Sequence, residues 1–137
     1  FLYSGLGCRN ISKLWIEKGF EIKRIFEAAE KYNFLFNHQK YMNNYDYQRT
    51  LLLLNKIEHL SNNFLMIKED KSIYSSISVL HYEYFESEAD FKADIESNLE
   101  NLQCIIGKGY IPFGEAQAPS LSDYADGVDT IEFLISD

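Results

Sequence analysis

Cys8 stands in the stretch Gly5-Leu6-Gly7-Cys8-Arg9-Asn10-Ile11-Ser12-Lys13. It falls just outside the apolar run that follows, after glycines that let a ligand approach without a Cβ in the way. A thiol acts as a nucleophile in its thiolate form, and neighbouring positive charge favours that form. Arg9 and Lys13 supply such charge nearby in sequence. A free peptide N–H at Cys8 could donate to a developing oxyanion. Together these residues suit attack on a carbonyl carbon. The plainer reading is a packing cysteine beside a tight turn, the commoner fate of a cytosolic thiol, and both readings stay open on the residues alone. Cys104, inside Leu102–Ile106 (LQCII), reads as a core residue.

The three histidines, His38, His59 and His81, are widely spaced, and no pair has the i, i+4 spacing of helical metal ligands. The expectation is therefore no metal site. His81 reads as a hydrogen-bonded histidine in a strand. His38, in the Asn-rich FNHQKY stretch, is the one available as a proton carrier near a site. With Arg9 and Asn10 it forms a supporting set around Cys8. Asp123, Asp126 and Asp129 recur every third position near Gly127, but without the ligand order or closing Glu of a calcium loop. Asp129 reads as a turn-forming acid. Gly107-Lys108-Gly109 is too short for a phosphate-binding loop.

These residues need a scaffold. Ser12–Ile16 is a short apolar run, read as a strand. Phe20–Tyr32 carries a helical stripe at Phe20, Ile22, Ile25, Phe26 and Ala29. Tyr32–Asn44 reads as irregular, with Asn43 or Asn44 capping a helix over Tyr45–Leu60. After a turn at Asn62-Asn63, Phe64–Ile67 reads as a strand, Lys68–Ser76 as a polar connection and Ile77–Phe85 as a strand rich in β-branched and aromatic residues. Ser87, with Asp90 three positions on, opens a helix whose buried face is Ala89, Phe91, Ile95 and Leu99. Leu102–Ile106 suits a buried strand, Ile111–Tyr124 an ordered loop and Val128–Ile135 a final strand. Strands alternating with helices predict an α/β layer domain.

The totals narrow the class. A chain of 137 residues with 46% hydrophobic residues suits one domain, residues 1–137, with a real core. A net charge of −8 with scattered basic residues argues against a nucleic-acid partner. No apolar run has the length of a membrane span, and no export signal stands out. Two cysteines make no disulfide framework, which points to a reducing, cytoplasmic location. The chain starts on Phe1. It is read as a piece of a longer protein, with part of the active site expected upstream.

The segment Gly5–Ile16 resembles the cysteine segment of the acyl-CoA reductases, relatives of the aldehyde dehydrogenases that include the fatty-acyl reductase of bacterial bioluminescence. Cys8, a basic residue five positions on and then a strand fit the superfamily pattern, with Lys13 where Arg is more usual. Asn37–Tyr47 and Phe113–Thr130 resemble segments of one bacterial branch, so the resemblance runs the length of the chain. It implies an aldehyde-dehydrogenase-like catalytic domain with a mostly parallel or mixed sheet flanked by helices. The nucleotide-binding domain would precede it. It also implies attack of Cys8 on an acyl-CoA thioester, loss of coenzyme A, and reduction of the acyl-cysteine to an aldehyde by NADPH or NADH, bound mainly by that preceding domain. A homo-oligomer is open for the full-length protein, and this piece alone is expected to be nearly inactive. In aldehyde dehydrogenases a glutamate in a Glu-x-Phe-Gly-Pro segment holds the nicotinamide ribose. The corresponding stretch here, Tyr74–Ser78, has no glutamate. Two other readings compete: a non-catalytic interaction or binding domain, and a cysteine acyltransferase or hydrolase using His38 as base.

Overall fold

The computed structural model describes residues 7, 9–121, 123–124 and 128–136. The chain forms two compact units, Phe1–Glu96 and Ser97–Asp137.

The first unit is built on a four-stranded mixed sheet. Its strands are β1 (Lys13–Glu17), β2 (Leu60–Ser61), β3 (Met66–Glu69) and β4 (Val79–Phe85), in the order β1-β4-β3-β2. β1 and β3 both run parallel to β4, and β2 is antiparallel to β3. Helices α1 (Lys23–Ala29), α2 (Gln39–Leu54) and α3 (Glu88–Asn98) flank the sheet, and a 3-10 segment, Glu30–Asn37, joins the first two. The observed class is therefore the expected one in its coarse form, a small α/β domain with a mixed sheet.

The register divides the strand residues by face. Lys13 pairs with His81, Trp15 with Glu83 and Lys68 with His81, so these five side chains share one face. Leu14, Ile67, Leu80 and Tyr82 lie on the other, in one cluster with Ala29, Leu35, Tyr41, Phe64 and Leu65. Tyr45, Leu52, Met66 and Val79 form a second cluster. Burying a side chain such as Leu65 or Ile67 contributes roughly 1.5–3 kcal/mol. One sheet face is thus apolar, and the other carries charge.

Several boundaries depart from the sequence reading, each for a local reason. α2 begins six residues before Tyr45, and its cap is His38, not Asn43 or Asn44. The His38 Nδ1 accepts the Tyr41 N–H at 3.2 Å. Tyr41, Tyr45 and Leu52 then form its buried face. The helix stops at Leu54 rather than Leu60. There the Ile57 N–H donates to the Leu52 carbonyl at 2.9 Å and the Lys56 N–H to the Leu53 carbonyl at 3.2 Å. Lys56 has φ 54°. This is a Schellman ending with lysine where glycine is usual. At the turn before β3, the Asn62 Oδ1 accepts the N–H groups of Phe64 at 3.0 Å and Leu65 at 2.8 Å. Ser87 caps α3 as expected, with the Asp90 N–H donating to its Oγ at 3.1 Å. Ile95 is the buried residue of that helix, whereas Ala89 and Leu99 are exposed.

In the second unit Leu102–Ile106 forms no extended strand. Ile106 makes an isolated bridge to Ile111, closed by a turn in which the Tyr110 N–H reaches the Gly107 carbonyl at 3.1 Å. Gly109, at φ 86°, occupies the left-handed third position of that turn. Cys104 is half-buried rather than a core residue. Val128–Ile135 is not a strand: it contains helix α4 (Thr130–Ile135), capped by Asp129.

Candidate functional site

Because β1, β3 and β4 run in the same direction, their starting ends gather at one edge of the sheet. A cavity of about 20 Å³ sits there, lined by Asn10, Ile11, Tyr41, Ser76, Ser78 and Val79 among others. That volume holds about one water-sized group. Asn10 and Ile11 come from the segment that leads into β1, and the Asn10 N–H donates to the Gly7 carbonyl at 2.9 Å. Ser76 and Ser78 come from the connection before β4. Their backbones are fixed by the Val79 N–H on the Ser76 carbonyl at 3.0 Å and the Met66 N–H on the Ser78 carbonyl at 2.8 Å. Ser78 is buried at φ 68°, a left-handed conformation that costs a non-glycine residue about 1–2 kcal/mol. Tyr41 is 2% exposed, and its hydroxyl has no hydrogen-bond partner. The Ser75 Oγ is in the same condition.

The charged face is a distinct arrangement. Lys13 is buried in an edge strand. Its Nζ donates to the Glu83 carboxylate and to the Lys71 carbonyl, each at 2.7 Å. The same ammonium is 3.7 Å from the Asp94 carboxylate and 4.8 Å from the centre of the Trp15 ring. The Trp15 indole N–H donates to Asp94, which holds α3 against β1. On the same row the His81 Nδ1 is 2.9 Å from the Ser72 carbonyl. Burial lowers the His81 pKa, and the nearby Lys68 and Lys13 charges add to that, against the opposing pull of the Ser72 carbonyl and Asp70. His81 is thus the hydrogen-bonded sheet histidine its sequence context indicates. Lys68 in turn pairs with Asp70 at 2.6 Å, which holds the Asp70 carboxyl below its usual range. Beyond this row, Trp15, Glu83, Phe85, Asp90, Phe91 and Asp94 border an open cleft of about 200 Å³.

Of the residues singled out in sequence, Cys8 and Asp126 lie outside the described residues. Arg9 and Asn10 are half-buried, and Asn10 is at the cavity. His38 is exposed and spends its Nδ1 lone pair on the first turn of α2, the turn that carries Tyr41. Lys13 serves the sheet: Glu83 balances its charge, so it is not a lone cation. Asp129 caps α4, accepting from the N–H groups of Ile131 and Glu132, each at 3.0 Å. Among the described residues no cluster of three or more His, Cys, Asp or Glu side chains is placed to hold a metal ion, and no helix is long and apolar enough to cross a membrane. Sequence reasoning gave Tyr41 no role at a site, and reached Ser76 and Ser78 only as part of the Tyr74–Ser78 stretch that the resemblance sets against a cofactor segment. A tyrosine read as part of a loop gave no reason to ask where its hydroxyl goes.

No family model matches the chain, nor does any curated protein or solved structure.

Proposed function

We propose that the chain is the cysteine-bearing half of an acyl-CoA reductase, with Cys8 as the acyl carrier. One observation supports this best. The cavity at the starting edge of the sheet is lined both by the cysteine segment, through Asn10 and Ile11, and by the Tyr74–Ser78 stretch, through Ser76 and Ser78. These are the two segments that the family resemblance assigns to one active site, and they are more than sixty positions apart in the chain.

In this reading the Cys8 thiolate attacks the thioester carbonyl carbon. A new sulfur–carbon bond forms, the bond to the coenzyme A sulfur breaks, and coenzyme A leaves as its thiolate. The exchange of one thioester for another is nearly balanced, so the site needs an ionised thiol and hydrogen-bond donors rather than a strong acid. Arg9, next in sequence, favours the thiolate. The described residues do not fit a nicotinamide: a cavity of about 20 Å³ is far smaller than the ring, and Tyr74–Ser78 offers no carboxylate to a ribose. The steps drawn from this chain therefore stop at the acyl-enzyme. Reduction by NADPH or NADH is assigned to a nucleotide-binding half elsewhere in the longer enzyme.

The test is mass measurement. The full-length enzyme, incubated with acyl-CoAs from acetyl to hexadecanoyl, should gain one acyl mass on Cys8 and lose the adduct in Cys8→Ser. A folded enzyme that takes up no acyl group refutes the reading. It would favour a binding domain, for which the exposed Ile131, Phe133, Leu134 and Ile135 of α4 offer an apolar surface. Release of free acid without any nicotinamide would instead mark a cysteine hydrolase.

A further inference from the structure

Strands β3 and β4 run parallel, so the chain between them, residues 70–78, must return from the finishing end of one to the starting end of the other. It does so across the charged face. There the Lys13 Nζ donates to the Lys71 carbonyl at 2.7 Å, and the His81 Nδ1 lies 2.9 Å from the Ser72 carbonyl. The Ser72 N–H donates to the Asp70 carboxylate at 2.8 Å, so both sides of Ser72 are tied down. Otherwise the crossing is lightly held: Ile73 is buried, but Lys71, Ser72, Tyr74 and Ser76 are exposed.

A carbonyl only accepts, so the neutral His81 ring carries its hydrogen on Nδ1, and acid adds the second proton at Nε2. His81 is 5% exposed and lies between two cations, opposite Lys13 on β1 and Lys68 on β3. The carboxylates around it are already claimed. Glu83 of β4 and Asp94 of α3 face the Lys13 ammonium at 2.7 and 3.7 Å, and Asp70 faces that of Lys68 at 2.6 Å. We propose that His81 is an acid-operated latch on the 70–78 crossing: when the ring gains its second proton, the crossing lifts from the sheet and lets the imidazolium reach water. Burial, with Lys68 and Lys13, lowers the His81 pKa against the pull of the Ser72 carbonyl and Asp70, so the closed form resists a proton that the lifted form accepts. Ser76, on the same crossing, lines the starting-edge cavity, so the lift moves part of that wall. The latch does not depend on the acyl-carrier reading.

Hydrogen exchange in the full-length protein, followed by mass spectrometry and corrected for the intrinsic pH dependence of exchange, tests this. Between pH 7.5 and pH 5, protection over residues 71–76 should fall roughly threefold or more beyond any fall in β3 and β4. In His81→Gln, whose amide can still donate to the Ser72 carbonyl but does not titrate, that excess should vanish. Lys68→Gln removes one opposing cation and frees Asp70, so there the excess should shrink. An equal fall in the crossing and the strands overturns the inference, since acid would then loosen the whole sheet. So does an excess that persists in His81→Gln. If His81→Gln does not fold, the wild-type imidazole decides: its carbon-bound proton resonances should titrate with the same midpoint as the loss of protection, and titration under an unchanged crossing overturns the latch.

Discussion

Lys13 offers the sharpest test of how the sheet is held together. Its side chain is 1% exposed, while that of Glu83 is 26% exposed. Removing one partner of a fully buried ion pair costs about 3–5 kcal/mol, because the charge left behind has no compensation. Glu83 retains some access to water, which brings the expectation for Lys13→Met down to roughly 2–3 kcal/mol. Asp94 keeps the Trp15 indole as donor and adds little to the loss. The Lys71 carbonyl loses a hydrogen bond, which adds about 1 kcal/mol at most. Glu83→Gln in the Lys13→Met background should recover part of the loss, since no carboxylate is then stranded. Urea unfolding can be followed through Trp15, the sole tryptophan, which lies against the ammonium. A cost below about 0.5 kcal/mol for Lys13→Met would refute the reasoning. So would a double variant no more stable than Lys13→Met alone.

Two further outcomes follow from the same geometry. His81 has a folded-state pKa depressed below its usual value of 6.5. The unfolded chain therefore binds a proton first as pH falls, and stability present in full above pH 6.5 should decline below it, toward the lower folded value. Urea midpoints between pH 5 and pH 7.5 should show this slope, and His81→Gln should flatten it; an unchanged slope in the variant would discount the buried imidazole. Lys56→Gly relieves a left-handed φ of 54° at the position where helices most often use glycine. It should stabilise the protein by about 1 kcal/mol, read as a raised melting temperature, and a lowered one would contradict the Schellman reading.

The parts of the fold legible in sequence were those whose signals are local. β4 is dense in β-branched and aromatic residues, β1 is a short apolar run, and Ser87 with Asp90 announces α3. What stayed hidden used the wrong residue type for the job. His38 caps α2 in place of Ser, Asp or Asn, so the helix start was placed too late. Lys56 stands where glycine would have marked the end, so the helix was read too long. Near the C-terminus, the alternation in Val128–Ile135 outweighed an Asp129–Glu132 spacing that signals a helix start. The starting-edge cavity could not have been foreseen, because its walls meet only once three parallel strands are in register. The cysteine segment was visible as chemistry, but Tyr41 was not singled out, since it declares itself only when burial strips its hydroxyl of partners.

The parallel pairing of β1 with β4 has a consequence for how the protein is made. β1 cannot find its neighbour until residues 81–85 have left the ribosome. At roughly 5–20 residues per second, the nascent strand waits several seconds with its hydrogen-bonding edge open. β2 and β3, joined by a short turn, can pair in that interval. β1 is thus made well before the strand that fixes it, and a product ending before residue 79 would leave β1 with no partner strand to pair with.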